Sequence, residues 1–228
     1  MIRRIKMTKY GIDVSEWQGV IDWEAVKASG KVDFAILRIG YGRYTSQIDK
    51  QFERNYSECR RLGIPCGAYW YSYATSEDEA TEEADACLDI LNGKKFEYPV
   101  YYDVEEQKTL VSGNVDDIIY TFCKALETSG YYAGLYMSRI PLNSYVSAKM
   151  RERFTLWVAE YASQCNYSGS YSMWQKSSGG SVAGISGKVD LNECYKDFPS
   201  IICPKPKEQK HITITIDDHT YSGLLTEE

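Results

Sequence analysis

The stretch YPVYYDVEEQ, residues 98–107, decides the fold. It is an apolar run with strand character that ends in two acids, Asp103 and Glu105. Residues i and i+2 of a strand share a face, with Cα atoms roughly 6.6 Å apart. Tyr101, Asp103 and Glu105 therefore share one face, and Val100, Tyr102 and Val104 share the other. An acid pair that close repels itself and is costly to bury. The face that carries it is either open to water or built for chemistry.

Working outward, the same type of segment recurs. YGIDVS (10–15), DFAILRIG (33–40), IPCGAYWYSY (64–73) and YYAGLYMS (131–138) read as strands. The continuous apolar run in DFAILRIG fits a strand covered on both faces. Helical segments alternate with them: DWEAVKASG (22–30) with Asp22 as N-cap, about Asp49 to Leu62, a segment after the S-x-x-E capping box of Ser76 and Glu79, NVDDIIYTFCKALETSG (114–130), and a weaker helix around 140–150. The rhythm then changes. FTLWVAEY (154–161), YSMWQKS (171–177) and GKVDLNEC (187–194) read as strands separated by short or Gly/Ser-rich gaps. Five βα units followed by three strands predict an α/β fold, an irregular TIM-barrel-like (β/α) barrel. It spans residues 1–203. CPKPKEQK (203–210) reads as a linker, and HITITIDDHTYSGLLTEE as a hairpin turning at Asp217-Asp218, so that 204–228 form a tail.

Parity picks out further acids. Asp13 and Ser15 lie opposite Ile12 and Val14, and Asp190 and Asn192 lie opposite Val189 and Leu191. All three acid-bearing strands are expected to carry their acids near the C-terminal end, where such barrels place their sites. First and last strands are neighbours in a closed barrel. Asp13 and Asp190 are then expected side by side, with Asp103 and Glu105 across the mouth. Helix capping, pairing with Arg38 or Arg43, and divalent-metal binding are the alternative uses of these acids. Around the same strand ends stand Trp17, Tyr41, Trp70, Tyr73, Tyr136, Trp157, Tyr161 and Trp174, a group of which a few are expected to line a groove. Sugars stack on such rings, and carboxylate pairs serve glycosidic cleavage.

Composition narrows the classes. The net charge of −6 gives no support to a nucleic-acid or anionic-membrane partner. No run approaches the ~20 apolar residues of a membrane span. MIRRIKMTKY carries positive charge without an apolar core, so no secretion signal is expected. The seven cysteines, without a C-x-x-C, read as reduced structural thiols and favour cytoplasmic synthesis. Two late histidines, 211 and 219, argue against a His-based metal site or a Ser-His-Asp triad. IGYGR and GISGKV match neither nucleotide-binding loop.

As a set, DVSEWQGVIDW, GAYWYSY, YYDVE, LWVAEY, MWQ and GKVDLN, in this order over about residues 8–198, resemble glycoside hydrolase family 25, the Chalaropsis-type lysozymes. The resemblance implies a β-1,4-N-acetylmuramidase acting on bacterial peptidoglycan without a cofactor. It implies Glu105 as general acid, Asp103 as stabiliser of charge or orienter of the 2-acetamido group, and Asp13 and Asp190 as the rest of an acidic pocket. Both a substrate-assisted route and an inverting route through an activated water fit it. A glycan-binding barrel without turnover and a metal-dependent hydrolase are the rival readings. The tail departs from the wall-binding modules of many such lysozymes, which leaves a monomer or a tail-mediated oligomer open. Action at the wall after endolysin-like release follows from the function, with a truncated secreted protein as the competitor.

Overall fold

The computed structural model describes residues 8–204 and 211–224. The charged start 1–7, linker residues 205–210 and residues 225–228 lie outside the described part. Eight strands close into one barrel: β1 Lys9–Val14, β2 Phe34–Tyr41, β3 Cys66–Tyr71, β4 Val100–Asp103, β5 Ala133–Ser138, β6 Thr155–Ala159, β7 Met173–Gly180 and β8 Val189–Cys194, in sequence order around the ring. Helices α1 Trp23–Ala28, α2 Phe52–Leu62, α3 Glu77–Leu91, α4 Gln107–Leu110 and α5 Val115–Thr128 follow the early strands, then α6 Arg139–Tyr145, α7 Ala148–Arg153 and α8 Phe198–Ile202.

Strands β1 to β7 pair parallel, whereas β8 runs antiparallel to both β7 and β1. The reason is the connection. A parallel crossover needs about a dozen residues or more, usually including a helix. The Gly/Ser-rich segment between Gly180 and Val189 supplies neither. This corrects the expectation for Asp190: it reaches the mouth from the N-terminal end of its strand.

Local chemistry explains several helix limits, two of them departures from expectation. Asp22 accepts from Ala25 N at 3.0 Å and opens α1. Gly63, with φ of 62°, closes α2 in the left-handed conformation that glycine adopts freely. Helix α2 starts at Phe52 and not near Asp49, because the Asp49 carboxylate is drawn into the fold, where it accepts from Arg38 Nε at 2.7 Å and from Glu16 N at 2.8 Å. The 140–150 helix is two pieces, with Ser147 capping the second through Met150 N.

The barrel wall sorts side chains by parity. Ile12, Val14, Leu37, Ala68, Trp70, Val100, Tyr102, Leu135 and Val158 face the helices. On that side Tyr102 stacks on Phe122 with centroids 3.8 Å apart. Phe34, Ile36, Tyr101, Tyr136, Trp157, Met173 and Cys194 fill the interior, plugged from below by Tyr98 and Phe198. Gly11 and Gly134 are required there: a Cβ would lie 2.4 Å from the Phe34 ring and 2.5 Å from the Tyr101 ring. This apolar filling raises a floor on which the mouth stands. All seven cysteines are free thiols, five of them buried. Strands β9 His211–Ile216 and β10 His219–Leu224 form the hairpin, turning on Asp217 and Asp218 with positive φ at both. Ile214, Ile216 and Tyr221 on it are exposed.

Candidate active site

Strand β4 ends at Asp103, which points inward above Tyr101, and Glu105 follows on the outgoing segment. Asp13 lies directly opposite Asp190 in the β1–β8 ladder. The four acids predicted from parity therefore belong to one end of one barrel, as two pairs contributed by opposite walls.

The environments of the two pairs differ. Asp13 is 5% exposed, and amide donors converge on it. Gln175 Nε2 donates to both its oxygens, at 3.2 and 3.1 Å, and Asn192 Nδ2 donates to Oδ2 at 2.7 Å. Those amides are themselves held. Tyr136 and Tyr161 hydroxyls donate to Gln175 Oε1 at 2.9 and 3.0 Å, and Trp157 Nε1 donates to Asn192 Oδ1 at 2.8 Å. Asp103 is equally enclosed, yet its Oδ1 is buried without a hydrogen-bond partner. Glu105 is exposed on the rim, while protein packs against its inner side.

Burial dominates the electrostatics. It pushes Asp13 up to about 7, reinforced by Asp190 and opposed by the Asn192 and Gln175 donors. Burial likewise pushes Asp190 up to about 6. Asp103 is raised well above the ordinary carboxylate range, by burial first and then by the charges of Glu105 and Asp13, with Arg38 pulling the other way. Glu105 is raised by burial, Asp190 and Glu106. Like charges this close cannot all ionise, so the mouth retains protons at a pH where free carboxyls have lost theirs. Arg38 does not pair with the four acids. It is held by Glu16 at 2.9 Å and Asp49 at 2.7 Å. Arg43 pairs with Glu79 and Glu82. Among the described residues, no group of three or more His, Cys, Asp or Glu is disposed to hold a metal ion.

The aromatic candidates divide. Trp17 is 81% exposed, on a 3₁₀ turn over Glu16–Gln18. Ser15 and Gln18 cap that turn reciprocally, which lifts Trp17 into solvent. Tyr73 and Tyr161 are exposed at the rim, and half-buried Tyr41 packs edge-on against Tyr73 at 6.1 Å. Tyr136 is buried in the floor against Trp157, with centroids 4.4 Å apart. Trp70 and Trp174 do not line the mouth. Trp70 shares the helix-facing parity of Cys66 and Ala68, and its Nε1 donates to Gly42 O at 3.1 Å. Trp174 alternates with the inward Met173 and Gln175, and its Nε1 donates to Glu160 O at 2.8 Å. Closeness to a strand end placed both on the candidate set, and side-chain parity removes them.

Three supporting residues were not assigned roles by sequence reasoning. Gln175 and Asn192 sat inside the quoted MWQ and GKVDLN motifs, and their inward parity was the available signal. Glu83 had no signal, because in a helix rich in acids it reads as surface. It is fully buried, accepting from Tyr102 OH and from Tyr73 N, both at 2.7 Å, and so anchors the turn after β3 beneath the rim.

A hollow of about 870 Å³ lies at the other end of the barrel between Tyr132, Arg151, Thr155, Tyr171 and Lys196, and none of the four acids lines it. A hollow of about 330 Å³ adjoins the mouth, lined by Ser138, Arg139, Ile140, Pro141, Ala159, Glu160 and Tyr161. Convergent carboxylates with raised pKa, more than volume, mark the mouth as the candidate active site.

Comparison with known proteins gives the family. The sequence profile described as "Glycosyl hydrolases family 25" matches residues 12–185. That span includes Asp13, Asp103, Glu105 and Gln175 and stops short of Asp190 and Asn192. YegX of Escherichia coli K12 is 30% identical over 192 residues, which is 81% of this chain and 69% of that one. The autolytic lysozyme of Clostridium acetobutylicum is 34% identical over 191 residues, 80% of this chain and 55% of that one. The structure of the modular autolysin LytC of Streptococcus pneumoniae superposes with a TM-score of 0.74 at 30% identity, over 82% of this chain and 47% of that one. The bacterial lysozyme of Streptomyces coelicolor superposes at 0.73 with 25% identity, over 86% of this chain and 96% of that one.

Proposed function

The chain belongs to glycosyl hydrolase family 25, and from that premise we propose that it is a lysozyme, hydrolysing the β-1,4 bond between N-acetylmuramic acid and N-acetylglucosamine in bacterial peptidoglycan. The proposed reaction is substrate-assisted. Glu105 gives its proton to the glycosidic oxygen as the C1–O bond breaks. The carbonyl oxygen of the 2-acetamido group forms a bond to C1, giving an oxazolinium ion. Its N–H is held by Asp103. Water then attacks C1, Glu105 takes back a proton from it, and the C1–oxazolinium oxygen bond breaks to restore the acetamide.

The observation that carries this reading is the buried, unpartnered Oδ1 of Asp103. A buried acceptor without a donor costs about 1–3 kcal/mol. An N–H arriving with the substrate removes that penalty and favours the charged form of Asp103. The proton retained among the acids is then left to Glu105. Exposed Trp17, Tyr73 and Tyr161 are the proposed stacking surfaces for the glycan, with Tyr41 and Tyr136 supporting them. Action at the bacterial cell wall, as the names of the autolysin and lysozyme relatives suggest, is part of the same proposal.

Digestion of purified peptidoglycan with reducing-end analysis tests it. Muropeptides ending in reducing N-acetylmuramic acid are expected from the parent protein and not from Glu105→Gln. Reducing N-acetylglucosamine ends would reassign the bond cleaved. Wall binding without new reducing ends would point to the non-catalytic alternative.

A further inference from the structure

Asp13 is the carboxylate with the most donors at the mouth, and the direction of its hydrogen bonds is informative. A protonated carboxyl needs an acceptor for its O–H, yet both oxygens of Asp13 face amide N–H groups. The Asn192 amide is not free to turn over. Trp157 Nε1 is a donor only, and its bond to Asn192 Oδ1 leaves the NH2 group pointing at Asp13. Gln175 is oriented the same way by the hydroxyls of Tyr136 and Tyr161 on its Oε1. Tyrosine hydroxyls also accept, so this second arm is held less strictly.

We propose that Gln175 and Asn192, fixed from behind by Trp157, Tyr136 and Tyr161, are positioning residues that keep Asp13 as the anion of the β1–β8 seam and assign the seam's proton to Asp190. Asp190, half-buried on the same seam, is then an O–H donor facing the mouth. That its donor serves a sugar oxygen rests on the lysozyme reading. The assignment of the proton does not.

The other groups around Asp13 are consistent with this. Asp103 on β4, Tyr69 on β3, Tyr136 on β5 and Tyr161 all have raised pKa, which favours their neutral forms beside Asp13. Arg38 on β2 is already paired with Glu16 and Asp49. Burial, the Asp190 charge and the opposing Asn192 and Gln175 donors together push Asp13 up to about 7, against about 6 for Asp190. The proposal reverses that order on geometry, because neutral Asp13 would set its O–H against fixed N–H donors.

Titration of the side-chain carboxyl carbons by NMR, on the substrate-free protein, tests the clamp. Asp190 is expected to take the higher-pH step in the parent protein and Asp13 the lower. In Trp157→Phe, which frees Asn192 to turn, the Asp13 step is expected to rise by about one pH unit. Tyr161→Phe removes one hydroxyl at an exposed position and is expected to move Asp13 the same way by less. An Asp13 step above that of Asp190 in the parent overturns the proposal. So does an unmoved Asp13 step in folded Trp157→Phe or, should that variant not fold, in Tyr161→Phe. A protein that titrates as stated but releases no reducing ends keeps the clamp and refutes the lysozyme reading.

Discussion

Two carboxylate pairs share one mouth and are built in opposite ways. On the β1–β8 seam, Asp13 is surrounded by donors that are themselves tied to Trp157 and two tyrosines. On β4, Asp103 is just as buried with one oxygen unpartnered, and Glu105 stands at the rim. A buried polar group lacking a partner is a standing penalty in a folded protein. Gln51 Oε1, Tyr101 OH and Thr109 Oγ1 lack one as well, but Asp103 Oδ1 belongs to a carboxylate of the mouth, where a ligand can supply it. The satisfied pair therefore reads as support, and the pair with the unpartnered Asp103 oxygen as the place where substrate completes the structure.

The sharpest way to break this contrast is to alter the unsatisfied pair at constant shape. Glu105→Gln removes a transferable proton and is expected to lower kcat by about 10²–10⁴-fold. Asp103→Asn turns one acceptor oxygen into a donor and is expected to lower kcat by about 10²–10³-fold. Circular dichroism and Tm should stay near the parent values in both. If Asp103→Asn turned over like the parent while seam variants did not, the roles of the two pairs would be reversed.

The pH profile sharpens the contrast next. Glu105 must hold its proton to act as acid, and its pKa is raised, so activity should persist above the ordinary carboxylate range and fall on the alkaline side. Asp190, once ionised at the higher-pH step, contributes to that rise. Asp190→Asn removes it, so the alkaline limb of kcat should move to lower pH. A limb that stays in place would disconnect the two pairs.

How much of this was legible beforehand depends on what kind of signal each feature leaves. The rhythm of strand and helix segments was enough for the eight strands and the barrel, closure for the Asp13–Asp190 neighbours, and parity for the inward face of the acids, because burial on both faces of a barrel wall enforces alternation residue by residue. Trp70 and Trp174 were misplaced when nearness to a strand end outweighed that same parity. The direction of β8 and the location of Asp190 at its N-terminal end were encoded only in the absence of a crossover helix. Glu83 was illegible: what buries it is the hydroxyl of Tyr102, contributed by another element. The clamp on Asp13 falls between, with its residues visible in the motifs and the order of their bonds visible only in three dimensions.

Stability gives a smaller test of the same contrast. Whichever of the two holds the last proton, Asp13 and Asp190 are pushed up from an ordinary 3.8, to about 7 and about 6. Between those limits the folded protein binds more protons than the unfolded chain, so stability should fall as pH rises across that window. Asp190→Asn removes part of this loss. Asp190 is partly in water, so the gain at pH 8 is expected to be only about 1 kcal/mol, or about 2–4 °C in Tm, and to vanish near pH 4. A gain that is independent of pH would mean that packing, and not charge, produced it.

The smallest expected effect on the fold comes from Trp17→Ala. This ring is 81% exposed, held out by the Ser15–Gln18 turn, and supports no core contact. Its removal should change stability by no more than about 0.5 kcal/mol, as for other exposed positions. If the ring stacks on the glycan, the loss of one aromatic contact should weaken binding by about 0.5–1.5 kcal/mol, a several-fold rise in KM with kcat nearly unchanged. That split separates a glycan platform from the acids beneath it. A fall in kcat at constant KM would instead tie Trp17 to the chemistry through Glu16, whose backbone N–H is bound by Asp49 and whose carboxylate holds Arg38.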